Sequence, residues 1–182
     1  MNEFIYKKLD IQNYEQILLE LKTWFIPQIP SDGHGDAFLK LDNQDFFDKC
    51  PITMDWFNEN NLQIIAVVLT TFLPENKQKD SDAPHIDTQS TDLAINFPIL
   101  NCKNTFTSFY ETINENKVLT KLGNGITYWT FDENTTYREI DRFVLDGPVL
   151  FNTKIPHQVN NPTNFPRYSA SFRFKEDPIS LV

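Results

Sequence analysis

From residue 62 to residue 174 the chain is a succession of short apolar or β-branched runs, cut by Asn-, Gly- and Pro-rich turns, with no helical period between most of them. The runs are "LQIIAVVLTTFLP" (62 to 74), "LAINFPIL" (93 to 100), "TFTSFYE" (105 to 111), "GITYWTF" (125 to 131), "GPVLFNTK" (147 to 154) and "RYSASFRF" (167 to 174). The last alternates strictly. It sets Arg167, Ser169, Ser171 and Arg173 on one face and Tyr168, Ala170, Phe172 and Phe174 on the other. Strands that succeed one another without crossover helices are antiparallel, and six or more of them close into a sandwich or barrel.

The first sixty residues have a different texture. "YEQILLELKTWF" (14 to 25) places Ile17, Leu18, Leu21, Trp24 and Phe25 at the three-and-four spacing of one buried helix face, and Pro27 ends it. "NQDFFDKCPITMDWFNENN" (43 to 61) reads as one or two shorter helices broken at Pro51. The expected organisation is therefore one domain over 1–182, with a mostly helical support over 1–61 and a β core over 62–175.

Composition limits what such a domain does. With 25 acidic and 16 basic residues the net charge is −9 and the pI about 4.7. That balance repels a phosphate backbone and argues against nucleic acid as a partner. No run approaches the ~18 apolar residues of a membrane span, and the N-terminus lacks a signal-peptide pattern, so a soluble, cytoplasmic protein is expected. Cys50 and Cys102 stand far apart in apolar contexts and read as buried thiols. Oligomeric state leaves no mark in the sequence.

Two His-x-Asp pairs occur among three histidines, His34-Gly35-Asp36 and His85-Ile86-Asp87, where roughly 0.4 would arise by chance. The first lies in a turn-rich stretch and reads as solvated loop. The second gains weight from residues further along the chain. His157 comes after the "GPVLFNT" strand, and ten residues later stands Arg167, one of only four arginines, with Ser169 two positions on. The charged stretch 75–83 just before His85 has almost nothing to bury and reads as a mobile loop.

This ordered set resembles the iron(II)/2-oxoglutarate-dependent oxygenases: His-x-Asp, a distant His, and an Arg-x-Ser about ten residues after it on a late strand. The resemblance runs from about residue 64 to 174 and implies a double-stranded β-helix, a jelly-roll or cupin-like barrel, in a mainly β protein with N-terminal helices (α+β). It implies that His85, Asp87 and His157 are metal ligands. Two imidazoles and one carboxylate on one face of iron(II) leave adjacent positions for a chelating co-substrate and dioxygen. It further implies that Arg167 and Ser169 bind the far carboxylate of 2-oxoglutarate, Arg167 with two hydrogen bonds and Ser169 with a third. Arg173, about 20 Å further along an extended strand, reads as structural. Asn96 and Tyr110 lie on strands where that superfamily often places polar groups near the co-substrate.

The activity implied is hydroxylation, with 2-oxoglutarate decarboxylation coupled to oxidation of a C–H bond in a small-molecule or peptide substrate. Asp87 argues against a halogenase, which replaces this carboxylate by a small residue. Arg167 argues against the prolyl-hydroxylase branch, which tends to use Lys there. Two alternatives stand beside it. One is a cupin-type metal enzyme that needs no 2-oxoglutarate, although the usual His-x-His pair is absent; the other is a non-catalytic β-barrel binding protein.

Overall fold

A computed structural model describes residues 4–30, 38–75, 83–89, 91–122 and 125–182. His34, Asp36 and all but the ends of the 75–83 stretch lie outside the described residues. Among the described residues, twelve strands and three α-helices follow in chain order: β1 (Tyr6–Lys8), α1 (Tyr14–Phe25), β2 (Phe38–Lys40), α2 (Asn43–Lys49), α3 (Pro51–Glu59), β3 (Ile64–Phe72), β4 (Ile86–Asp87), β5 (Leu93–Leu100), β6 (Phe106–Ile113), β7 (Lys117–Lys121), β8 (Thr127–Phe131), β9 (Thr136–Val144), β10 (Val149–Asn152), β11 (His157–Asn160) and β12 (Arg167–Phe174).

The helices form where the sequence asks for them. Ile17, Leu21, Trp24 and Phe25 are the buried face of α1, while Leu18 is half-buried. Asp42 caps α2 by accepting from the backbone N–H groups of Gln44 and Asp45 at 2.7 and 3.0 Å. Cys50 ends that helix and Pro51 opens α3, where a missing N–H costs nothing. Glu20 of α1 accepts from the N–H groups of Ile52 and Thr53 and from the Thr53 hydroxyl, fixing α3 against α1.

The large sheet runs in the order β1-β10-β5-β12-β3-β2. A second runs β11-β6-β9, and β4 joins it through an antiparallel bridge between His85 and His157. With the β7-β8 hairpin set aside as an insertion that pairs β8 with β4, eight strands remain: β3, β4, β5, β6, β9, β10, β11 and β12. Counted in chain order, one sheet is 6-3-8-1 and the facing one 5-4-7-2. Consecutive strands thus lie in opposite sheets except across the β6–β9 pair, the winding of a double-stranded β-helix. The N-terminal segment is more than helical support, because β1 pairs with β10 and β2 with β3 at the two margins of the large sheet.

Strand β12 sits at the centre of that sheet, and both of its faces are buried. Tyr168, Ala170, Phe172 and Phe174 meet the helices. The Phe172 ring lies 5.0 to 6.3 Å from those of Phe25, Phe46, Phe57 and Phe97, so Phe172→Ala should cost about 3–5 kcal/mol. Arg167, Ser169, Ser171 and Arg173 point the other way, into the barrel. There they share a face with Phe72, Thr70 and Val68 of β3 and with Asn96 of β5. A smaller apolar cluster, including Phe109, Phe143 and Phe151, fills the rest of the barrel. No described helix is long and apolar enough to cross a membrane.

Candidate metal centre

Strand β4 is too short to hold itself. Two backbone hydrogen bonds between His85 and His157, at 3.0 and 2.9 Å, fix it to β11, and Asp87 N–H donates to the Thr153 carbonyl at 3.1 Å. Positions i and i+2 of a strand share a side, so His85 and Asp87 project together toward His157. One ligand-type atom from each of these three residues lies within 4.8 Å of the others, and all three residues are buried. Among the described residues this is the one His/Cys/Asp/Glu group able to hold a metal ion.

The surroundings aim each donor. His85 Nδ1 lies 3.1 Å from the Ala83 carbonyl and His157 Nδ1 lies 2.9 Å from that of Ile155. A carbonyl can only accept, so in this arrangement Nδ1 keeps its proton and donates it to the carbonyl, and Nε2 is the nitrogen that offers a lone pair, the arrangement found behind metal-bound histidines. The imidazole centroids are 4.5 Å apart, and His85 Nε2 is 3.8 Å from Asp87 Oδ1. Burial, and next the neighbouring His85, push His157 down to about 4, so its imidazole is neutral at pH 7 as a ligand must be.

Arg173, at the far end of β12 from Arg167, has its structural place at Asp87: its Nη2 donates to Asp87 Oδ2 at 2.6 Å, and its Nη1 donates to Ser171 Oγ at 2.7 Å. Burial alone would raise the Asp87 carboxyl; the Arg173 guanidinium overturns that and holds it below the usual carboxylate range. Oδ1 is left facing the imidazoles.

Arg167 occupies the same interior from the opposite end of β12. It is 0% exposed, and among the described residues none of Nε, Nη1 and Nη2 meets an oxygen or nitrogen acceptor; the one contact of that kind is with the Cys102 thiol, a weak acceptor. Its guanidinium carbon lies 5.6 Å from the centre of the Phe72 ring, and the Cys102 thiol is beside it. Burial lowers its pKa, yet a guanidinium stays charged at any ordinary pH. Phe72 meets Phe38 edge-on at 6.0 Å, and Phe38 meets His85 edge-on at 6.4 Å, so one aromatic wall joins Arg167 to the histidines. Ser169 is also buried, with its Oγ 2.5 Å from Thr70 Oγ1, which donates in turn to the Ser169 carbonyl at 3.1 Å.

Asn96, opposite Ser171 in the sheet, has a buried Oδ1 without a partner among the described residues and belongs to this interior. Tyr110 does not. Its hydroxyl donates to Gln158, the neighbour of His157 that faces the outside of β11. Thr70 and Phe72 carry no signal in the sequence because "LTTF" resembles any buried strand.

No protein-family model matches the chain, and no curated protein matches it. Two solved oxalate decarboxylase structures are similar in part. One, described for its Mn(II) centres in the Bacillus subtilis enzyme, has a TM-score of 0.35 and 14% identity over 84% of this chain and 29% of its own. The other, described for proton-coupled electron transfer, has a TM-score of 0.33 and 12% identity over 79% of this chain and 27% of its own. The chain thus spans less than a third of either. Such scores carry no argument, and the fold rests on strand order. Fold and site together define a cupin-like double-stranded β-helix whose buried His/Asp/His group could hold one metal ion.

Proposed function

We propose that this protein is an iron(II)- and 2-oxoglutarate-dependent oxygenase, a hydroxylase of a small molecule or peptide, with dioxygen as the oxidant. The observation that carries the reading is Arg167: a buried guanidinium whose three nitrogens meet no oxygen or nitrogen acceptor among the described residues, only the Cys102 thiol, inside the barrel that holds the His/Asp/His group. Leaving such donors unmet costs a folded protein about 1–3 kcal/mol or more. That cost makes sense where an anion completes the site. A dicarboxylate with a chelating keto-acid end supports one role at the metal and one at Arg167.

His85, Asp87 and His157 would hold the ion. Iron(II), when bound, would supply the activation of dioxygen and keto acid together. The remaining work falls to the chain. The Ala83 and Ile155 carbonyls orient the imidazoles, Arg173 keeps Asp87 ionised and turns its Oδ1 inward, and Arg167 fixes the far carboxylate, with Ser169 adding a bond once its hydroxyl turns from Thr70. Phe109 and Phe151, with ring centroids 6.2 and 5.5 Å from His157, keep water from that side.

A second reading is a cupin-type metal enzyme that uses no 2-oxoglutarate, the kind of enzyme that an oxalate decarboxylase with Mn(II) centres represents. The two readings agree on the metal and part at Arg167. Conversion of 2-oxoglutarate to succinate, measured with iron(II) and dioxygen, separates them. Turnover that requires iron and falls at least tenfold in Arg167→Met supports the first. Metal binding without any 2-oxoglutarate turnover or binding supports the second.

A further inference from the structure

The turn that leads to His157 is tied to the residues just past Asp87 by the side chain of Lys154, and further on by Thr153, whose hydroxyl donates to the Asp92 carbonyl at 3.0 Å. Lys154 stands between β10 and β11, and its ammonium donates to the backbone carbonyl of Asp87 at 3.0 Å and to that of Gln89 at 2.5 Å. Among the described residues, backbone hydrogen bonds join these segments at His85–His157, at Asp87–Thr153 and again at Thr153–Asp92, leaving the peptides of 88–89 without one to the turn. Past Asp87 the strand ends, and Lys154 takes over. Its own backbone is fixed, because Lys154 N–H donates to Asn152 Oδ1 at 2.8 Å and Asn152 Nδ2 donates to the Phe4 carbonyl at 3.2 Å. Immobilising a lysine costs up to about 2 kcal/mol of rotamer freedom, so a solvated ammonium does not settle on two carbonyls without charge-assisted bonds to hold it.

We infer that Lys154 is a positioning residue of the metal centre, setting the separation of Asp87 from His157. Hydrogen bonds from Lys154 fix the peptide on the far side of Asp87, as Arg173 fixes its side chain, so the carboxylate is held from both ends. The Lys154 side chain borders a groove of about 600 Å³ beside Ile86 and Pro156. Replacing it therefore opens no hole in the core.

This inference rests on His85, Asp87 and His157 being ligands, and the test keeps the two apart. Anaerobic titration with iron(II), and visible spectra with cobalt(II) as a probe, would be recorded for the wild-type protein, Lys154→Met and Lys154→Arg. Outer hydrogen-bond partners of metal ligands are typically worth ten- to a hundredfold in affinity, and Lys154→Met should weaken iron(II) binding by that factor. Its cobalt(II) spectrum should shift, and Lys154→Arg, which keeps a long cationic donor, should restore most of both. Iron(II) affinity within twofold of wild type in Lys154→Met, or in Lys154→Gln if the first variant does not fold, would overturn the inference while leaving the ligands standing. A wild-type protein that binds neither metal overturns the ligand assignment and this inference with it.

Discussion

Replacing Arg167 by Met should make the ligand-free protein more stable. The guanidinium is fully buried and, among the described residues, meets only the weakly accepting Cys102 thiol, while methionine fills a similar volume without a charge. Unmet buried donors cost about 1–3 kcal/mol, and the loss of the Phe72 ring contact takes back about 0.5–2 kcal/mol. The net gain is of the order of 1 kcal/mol, a rise in Tm of about 2–4 °C for a chain of this length. Adding 2-oxoglutarate to the iron-loaded proteins under anaerobic conditions should reverse the order. At a hundred times its Kd the co-substrate adds about 2.7 kcal/mol to wild type and nothing to the variant. Thermal denaturation with and without 2-oxoglutarate reads both numbers. An Arg167→Met variant less stable than wild type by more than about 1 kcal/mol, or equal stabilisation of both proteins by 2-oxoglutarate, would show that Arg167 is a structural arginine.

Removing Asp87 should damage the fold as well as the metal site, because Asp87→Ala strands Arg173 as a buried unpaired charge at a cost of about 3–5 kcal/mol. Asp87→Ala/Arg173→Met should recover much of that in urea denaturation while still binding no iron, and a double variant no more stable than the single one would refute the pairing. Arg173→Lys should weaken iron(II) binding in an anaerobic titration, since one ammonium cannot hold both Asp87 and Ser171 as the guanidinium does; unchanged affinity would contradict this. Burial foremost, with Glu20 and Asp45 nearby, pushes the Cys50 thiol up to about 12, so at pH 8 it should react with a thiol reagent only as fast as the protein opens. Rapid labelling of native protein at Cys50 would contradict its packing beneath the helices.

The order of elements was legible where a buried face enforces a period. β3, β5, β6, β8, β10 and β12 fall within one or two residues of their sequence runs at most ends, because each has apolar side chains recurring toward one core. β9 was invisible for the opposite reason. "TYREIDRFV" is an exposed edge strand with charges on both faces and only Phe143 buried, so no alternation marks it. The 7th and 2nd barrel strands, β11 and β4, are four and two residues long, too short for any periodic signal. Spacing picked out His85, Asp87 and His157, which the fold brings together, and Arg167, which it buries. It could not show that Arg173 meets Asp87 or that Lys154 meets its carbonyl, because those contacts depend on which strand ends coincide across the barrel.

A pair of anaerobic titrations, iron(II) into the wild-type protein and then 2-oxoglutarate into the iron-loaded form, repeated on His157→Ala and Arg167→Met, bears on metal and co-substrate together. One iron(II) per chain should bind, and one 2-oxoglutarate only after iron. Iron binding should be lost in His157→Ala and kept in Arg167→Met, where 2-oxoglutarate binding disappears. Iron binding that survives His157→Ala would contradict the metal centre, and 2-oxoglutarate binding that survives Arg167→Met would contradict the role of the buried guanidinium.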